Sequence, residues 1–411
     1  MINVLEAKNI ILSNSQDYGI ESVDFIDSLG RVLKEDIFAD RDFPPFDRVC
    51  MDGISLSYSV FVKGKREFVI EGVQAAGSPQ KTLMNSDNCL EVMTGAMVPI
   101  NSDIVIPYEL IEIENGIAKI SIDEVKELQN IHLRGKDKSE GDLLIPKNKK
   151  ITAAEIGVLA TVGKIKVLVA KRPKVLIVST GDELVDVSEK PLEHQIRRSN
   201  VYSIQALLLN LSVSSDIKHL ADDKDSLLKE IARSLKEYDV LLFSGAVSKG
   251  KFDYIPEVLD ELGVEKLFHK VKQRPGKPFW FGRRASLITY NDDITNNSKK
   301  NTVVFAFPGN PVSAYVNCLK YFYPWYEKSV FGKEKEREVA RLSDDFNFKA
   351  NITYFLQVQL KNIDGELIAV PLSGNGSGDL ANLTEASALL ELPANRTEFK
   401  KGAVFPVIRY R

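Results

Sequence analysis

Cysteine is scarce in this 411-residue chain: Cys50, Cys89 and Cys318 are the only three. They lie far apart, which excludes both a cysteine-based metal motif and a disulfide framework, and the expectation is reduced thiols in a cytoplasmic protein. The four histidines, His132, His194, His219 and His269, are equally scattered. A histidine ligand set and histidine-based acid–base catalysis are therefore not expected. No apolar run approaches the roughly 20 residues needed to span a bilayer, and no basic segment followed by an apolar stretch opens the sequence. A charge excess of one sign is missing too. The formal net charge is −3 and the sequence pI about 6.0, so no broadly basic face is on offer to nucleic acid. What remains is ordinary globular composition, 27% charged and 44% hydrophobic, in a chain longer than one core usually supports.

The order of patterns divides the chain. Residues 1–46 read as a helix, "NVLEAKNIILSNS", a second amphipathic helix around "VDFIDSLGRVL", and an extended stretch ending near Pro44-Pro45, which cannot continue a helix. Short β-like runs separated by turn residues fill 47–132, from "GISLSYSVFV" to "GIAKISIDEV", and predict a β-rich module. In 133–170, "TAAEIGVLATVG" predicts a helix capped by Thr152, with Glu155 completing a capping box and Gly163 ending it. Together, 1–46 and 133–170 are expected to form one linking domain. From 171 to 328 strands and helices alternate, with Ser199 expected to cap "NVYSIQALLLNL". That alternation predicts a doubly wound, mainly parallel sheet covered on both faces. Residues 329–411 return to β runs, a small barrel or sandwich, of which the C-terminal β-barrel is the expected form. The fold class is thus α/β multidomain.

In an open parallel sheet, ligands bind beyond the carboxyl ends of the strands. Five loops are predicted there: "STGDEL" (179–184), "ADDKD" (221–225), "SGAVSKGKFD" (244–253), "QRPGKP" (273–278) and "PGNPVSA" (308–314). Gly181, Gly245, Gly250, Gly276 and Gly309 let backbone approach a ligand, and "PGNPVS" opens a helix whose free N–H groups favour an anion. Ser179, Ser244, Ser248 and Ser313 add hydroxyls, and Pro308, Asn310 and Pro311 shape the last loop. The basic loop carries Lys270, Lys272, Arg274 and Lys277 with no acid, stiffened by Pro275 and Pro278. Against it stand the carboxylates Asp182, Glu183, Asp222, Asp223 and Asp253. Acids beside an anion site repel the ligand unless a divalent cation lies between, so the combination points to a Mg²⁺-bound phosphate compound. Each loop alone has a plainer reading: "DD" at 222–223 suits a helix cap, and "PGNP" a turn.

The ordered set "FPPFDRVCMDG", "VMTGAMVP", "RPKVLIVSTGDELV", "IRRSNVYSIQALL", "SGAVSKGKFDY", "RPGKPFWFG" and "FPGNPVSA" resembles the molybdopterin molybdenumtransferases, the MoeA family, whose eukaryotic relatives include gephyrin. The likeness runs over nearly the whole chain. It implies an elongated four-domain subunit in a homodimer. It also implies an enzyme that inserts molybdate into adenylylated molybdopterin with Mg²⁺-dependent release of AMP, and contact with the adenylyltransferase of the pathway. The active cleft would lie between the doubly wound domain of one subunit and the β module of the other. By resemblance Glu183, Asp223 and Asp253 surround the metal, Asp52 and Thr94 reach across the dimer, and Asp137 and Ser377 match further polar positions. Arg274 and Lys277 would then frame a molybdate pocket, with Ser313 donating a hydrogen bond.

Departures from the family pattern concentrate on the anion-binding side. "SGAVSKGK" carries Ala246, Lys249 and Lys251 where glycine, an apolar residue and an acid are usual. Arg274 stands for a lysine, Gln357 for an arginine, and Val49 and Cys50 for serine and alanine. Arginine keeps the charge but presents a planar fork. Two other functions stay open at this point: a molybdopterin-binding scaffold without turnover, and a Mg²⁺-dependent nucleotide pyrophosphatase on the same sheet.

Overall fold

The computed structural model describes residues 1–245, 254–285, 301–334, 336–374 and 376–411. Ala246, Ser248, Lys249, Gly250, Lys251 and Asp253 lie outside that set. The chain forms two compact units, Asp24–Leu29 with Leu33–Val167, and Met1–Val23 with Gly30–Val32 and Leu168–Arg411.

The first unit is built on a six-stranded sheet in the order Ile104–Pro107, Gly53–Leu56, Cys89–Val92, Glu67–Gln74, Ile117–Ile120, Ile111–Glu114. Ile54, Leu56, Phe68, Cys89, Ile104 and Ile106 meet in its core. "YSVFV", expected to prolong the strand, is instead a short helix, Tyr58–Val62, whose Phe61 is buried in the same core. The helix Ala153–Thr161 starts with the expected capping box: Thr152 accepts from Ala154 N–H, and Glu155 accepts from Thr152 N–H at 2.8 Å. Lys149 and the Thr152 hydroxyl hold the Glu155 carboxyl down at about 2.

The second unit holds the doubly wound sheet, ordered Ser215–Leu220, Val175–Thr180, Val240–Ser244, Asn301–Phe307, Trp280–Ala285, Glu265–His269. The first four strands are parallel; Trp280–Ala285 runs against its neighbours on both sides. Their continuous apolar runs follow from burial on both faces. Val175 and Ile177 point into one core with Val240, Leu242, Val303 and Phe305. Leu176 and Val178 point into the other with Leu241, Phe243, Val304 and Ala306, as the two-residue side-chain period requires. Helices Asn200–Asn210 and Val4–Ser13 supply the first core, Lys224–Glu237 and Ile255–Glu261 the second. The strands Thr353–Ile363, Glu366–Pro371, Val339–Leu342, Val404–Arg409 and Ala388–Leu392 pair in that order and close on themselves as a five-stranded barrel.

Two further local expectations fail. The predicted helix around 23–33 is the end of a strand, Ile20–Asp24, and a single 3₁₀ turn, Phe25–Ser28. Its apolar residues serve an alternating strand first and a turn second, and Gly30 leaves in a left-handed conformation at φ +77°. Ser199 precedes the helix Asn200–Asn210 but makes no side-chain cap bond and has helix-like φ and ψ of −98° and −35°. A capping side chain needs an extended residue to reach the N2 or N3 amide.

Candidate functional site

Strand register gathers the predicted loops of the second unit on one edge. Ser179 pairs with Ser244, Ser244 with Phe307, Trp280 with Ala306, and His269 with Trp280. Two successive antiparallel pairings restore direction, so Glu265–His269 runs parallel to Asn301–Phe307 and the basic loop leaves from the carboxyl edge too. Strand order then sorts charge. The acidic loops follow the first two strands and the basic loop follows the last. From Val175–Thr180 to Glu265–His269 is four strand spacings of about 4.8 Å, roughly 19 Å of sheet.

On the acidic side, Asp182 Oδ1 accepts from the Asp222 N–H at 3.3 Å. The Glu183 carboxylate folds back over Gly181, whose φ is +129°. Asp223 is the cap of Lys224–Glu237, accepting from Ser226 N–H at 2.9 Å, as the plainer reading of "DD" has it. Ser179 is buried, its Oγ 3.0 Å from His219 Nδ1. Burial, then the neighbouring Arg198 charge, holds His219 below the usual histidine value, so a neutral imidazole backs the acids.

The middle of the edge is tied by a residue the sequence reading passed over. Asn200 Nδ2 donates to Ser244 Oγ at 2.9 Å and to Gly309 O at 2.7 Å. Gly245 donates its N–H to Phe307 O at 3.1 Å with φ +109°, a conformation glycine alone adopts readily. Pro308 is buried while Gly309 and Asn310 are exposed, and Pro311 occupies the first position of the helix Pro311–Asn317. Asn310 Nδ2 donates to Ser377 Oγ at 2.8 Å, and Val312 N–H to Ser377 O at 3.2 Å. Ser377 is thereby joined to the loop that opens this helix. Its Oγ accepts that bond, and among the described residues no acceptor takes its own proton.

On the basic side, Arg274 and Ser377 line one pocket with Pro275, Tyr354, Gln357 and Asn382. Among the described residues lining it, Arg274 is the one charged side chain; its guanidinium lies 5.9 Å from the centre of the Phe348 ring. Asn382 donates to Gln357 Oε1 at 2.6 Å, which turns the Gln357 amide so that its NH₂ end stays available as a donor. Lys277 is exposed and Ser313 is buried in the helix; neither lines this pocket.

The first unit holds its own polar cluster. Thr94 donates both its N–H, at 2.6 Å, and its Oγ–H, at 2.7 Å, to Asp52 Oδ1. The backbone bond first and the hydroxyl second hold the exposed Asp52 carboxyl below its usual value. Thr94→Val removes only the hydroxyl donor, so the Asp52 carboxyl resonance should titrate at higher pH in the variant while staying below an unperturbed aspartate. The sign follows from the depressed carboxyl: these bonds help the fold above the unfolded-chain value and are lost as pH drops through the folded one. An unchanged midpoint would show that the hydroxyl contributes nothing. Asp137 faces His132, Oδ1 to Nε2 2.9 Å.

Comparison with known proteins decides the family. "MoeA N-terminal region (domain I and II)" matches residues 2–163, "Probable molybdopterin binding domain" residues 176–328, and "MoeA C-terminal region (domain IV)" residues 339–410. A molybdopterin molybdenumtransferase of Synechocystis is 40% identical over 409 residues, covering 99% of both chains. The chain belongs to the molybdopterin molybdenumtransferase (MoeA) family. A molybdopterin molybdenumtransferase of Staphylococcus epidermidis is 29% identical over 99% of this chain and 95% of its own. A crystal structure of the molybdopterin biosynthesis moeA protein from Pyrococcus horikoshii superposes with TM-score 0.80 at 25% identity, covering 100% of both chains.

For this MoeA-family chain the donor chemistry of the acidic side suits Mg²⁺. Glu183 and Asp223 offer hard carboxylate oxygens and sit beside Asp182 and Asp222. Among the described residues no three His, Cys, Asp or Glu side chains converge on one ion position, and Asp253, the third acid expected there, lies outside them.

Proposed function

We propose that this chain is a molybdopterin molybdenumtransferase that inserts molybdate into adenylylated molybdopterin and releases AMP, in molybdenum cofactor biosynthesis. The observation that carries the proposal is the polarity of the carboxyl edge, acids at one end and the Arg274 pocket at the other, in a chain of this family. Roughly 19 Å of sheet suits a long substrate with a pyrophosphate in its middle. Molybdate, a tetrahedral dianion, belongs in the pocket with Arg274, the Gln357 amide and the Ser377 hydroxyl. Lys277, beside that pocket in sequence, adds a second positive charge on approach. Ser244, Gly245 and Gly309 let backbone come close to the phosphates. Glu183, Asp223 and Asp253 would hold Mg²⁺, which when bound neutralises and polarises phosphate oxygens. No side chain here needs to be a nucleophile, because orientation and fixed charge supply most of what such a transfer requires.

The same proposal extends to a cytoplasmic homodimer in which the Asp52–Thr94 pair of a second subunit completes the site, working next to the adenylyltransferase that makes its substrate. The test is AMP release by purified protein given Mg²⁺, adenylylated molybdopterin and molybdate. Lys277→Ala should raise the molybdate concentration for half-maximal rate several-fold while binding of the adenylylated pterin stays within twofold. No AMP release, where the Synechocystis relative is active, would overturn the proposal. An unaltered molybdate requirement in Lys277→Ala would remove that residue from it.

A further inference from the structure

Below the basic loop lies a buried polar cluster. Gln273 and Asn317 are fully buried and Tyr321 is 1% exposed. Gln273 Nε2 donates to Pro275 O at 2.9 Å and to Asn317 Oδ1 at 2.7 Å. Asn317 Nδ2 donates to Gly276 O at 3.2 Å. The Tyr321 hydroxyl donates to Gln273 Oε1, which fixes the orientation of that amide. Among the described residues every side-chain bond leaving the cluster therefore ends on one of the two consecutive carbonyls, Pro275 and Gly276, between Arg274 and Lys277. Gly276 sits at φ +87°, and a Cβ there would stand 2.4 Å from Asn317 Oδ1 and 2.8 Å from Gln273 Nε2, so the clamp closes on the turn with no room left over.

The surroundings make this arrangement expensive unless all of it is satisfied. Tyr321 packs on Phe279 with ring centres 4.9 Å apart, and Phe279 on Phe307 at 5.5 Å. A buried amide in such an aromatic core that loses a partner forfeits its hydrogen bond with no water to replace it. Apolar residues would fill the same space without that risk, but they could not aim at carbonyls. Asn317 ends the helix Pro311–Asn317, and Tyr321 lies in the π-helical turn Cys318–Phe322 that follows, a kind of turn often found at functional sites. One short helix thus carries the Asn310–Ser377 contact at its start and grips Gly276 at its end.

We propose that Gln273, Asn317 and Tyr321 are positioning residues that hold the Arg274–Lys277 turn in its anion-binding geometry. The oxyanion part of this inference rests on the function proposed above. The clamp acts through the loop and touches no substrate. Its loss weakens oxyanion binding selectively and leaves the nucleotide end of the edge intact.

Two measurements on full-length protein test it: hydrogen exchange of the amides in 270–279, and calorimetric titration with molybdate and, separately, with AMP. In Tyr321→Phe, which deletes one hydroxyl, and in Asn317→Ala, the loop amides should exchange about tenfold faster while those of Val240–Ser244 are unchanged. The molybdate Kd should rise about tenfold, the equivalent of one hydrogen bond, and the AMP Kd should stay within twofold. Loop exchange equal to wild type in both variants overturns the clamp. A loosened loop with an unchanged molybdate Kd, or an equal loss of AMP binding, overturns its role in oxyanion binding. Should Asn317→Ala fail to fold, Tyr321→Phe decides. Wild-type protein that binds no molybdate would instead overturn the oxyanion assignment of the site, and the exchange arm alone would then decide the clamp.

Discussion

Glu391→Gln should remove about 3–5 kcal/mol of stability at neutral pH, the usual consequence of stranding a buried charge. Lys320 is 2% exposed, in the π-helical turn, and its Nζ lies 2.5 Å from Glu391 Oε2 on the barrel strand Ala388–Leu392 and 5.4 Å from the centre of the Phe355 ring. Burial drives the Lys320 ammonium down to about 8, against the attraction of Glu391, with Arg337 lowering it further. Glutamine in place of Glu391 keeps the shape but leaves the cation uncompensated. The direction with pH follows from linkage. Between about 8 and the ordinary value of 10.5 the unfolded chain binds the proton that the folded chain gives up, so stability gains from this group as pH rises through that window. The deficit of Glu391→Gln should therefore narrow as pH climbs past about 8, where folded Lys320 is neutral with or without its partner. Lys320→Met should cost much less, because Glu391 keeps Arg337 at 3.0 Å, and the double variant should recover most of the loss. Chemical denaturation of the three variants at pH 7 and pH 9 measures all of this. A loss below about 1 kcal/mol in Glu391→Gln would mean that water or another group compensates Lys320.

That pair also shows what the sequence could not disclose. Periodicity was enough to place Val4–Ser13, Ala153–Thr161 and the alternating elements from Val175 to Phe331, because each carries its own signal: a cap, a glycine stop, or an uninterrupted apolar strand. The position of "STGDEL", "ADDKD" and "PGNPVSA" on the sheet's carboxyl edge followed from the same reading, since parallel topology dictates it, whereas the basic loop reaches that edge through two antiparallel pairings. The failures fall where two elements share one stretch. Ile20–Asp24 and Phe25–Ser28 together imitate an amphipathic helix, and only tertiary pairing separates them. Ser199 has the right chemistry for a cap and the wrong φ and ψ. Gln273, Asn317 and Lys320 escaped notice for a different reason. Each is a buried polar residue, and burial of a single polar side chain inside a helix or in a short strand leaves no periodic trace. Asn200 escaped because its partners, Ser244 and Gly309, are 44 and 109 residues away. Ser377 was reached through family resemblance, and its contact with Asn310 joins segments 67 residues apart.

Arg274→Ala should raise the molybdate concentration for half-maximal transfer by roughly 10- to 100-fold, the equivalent of about 1.5–3 kcal/mol for a hydrogen bond to a charged group. Among the described residues lining its pocket no second charge shares the load, because the other polar groups there, among them Gln357, held by Asn382, and the Ser377 hydroxyl, are neutral. Neutral donors orient an oxyanion but do little to balance a dianion, so most of the electrostatic attraction falls to one guanidinium. Arg274→Lys should lie between the extremes, keeping the charge and losing the planar fork. Gln357→Arg tests the same reasoning in the opposite direction. It places a second cation in the pocket, where it should tighten molybdate binding about tenfold and steepen its salt dependence, provided that the loss of the Asn382 contact does not loosen the wall. Titration of each variant with molybdate at two ionic strengths separates these contributions. If Arg274→Ala binds molybdate as wild type does, the charge that holds the oxyanion comes from elsewhere on the edge, and Lys277 becomes the first residue to examine.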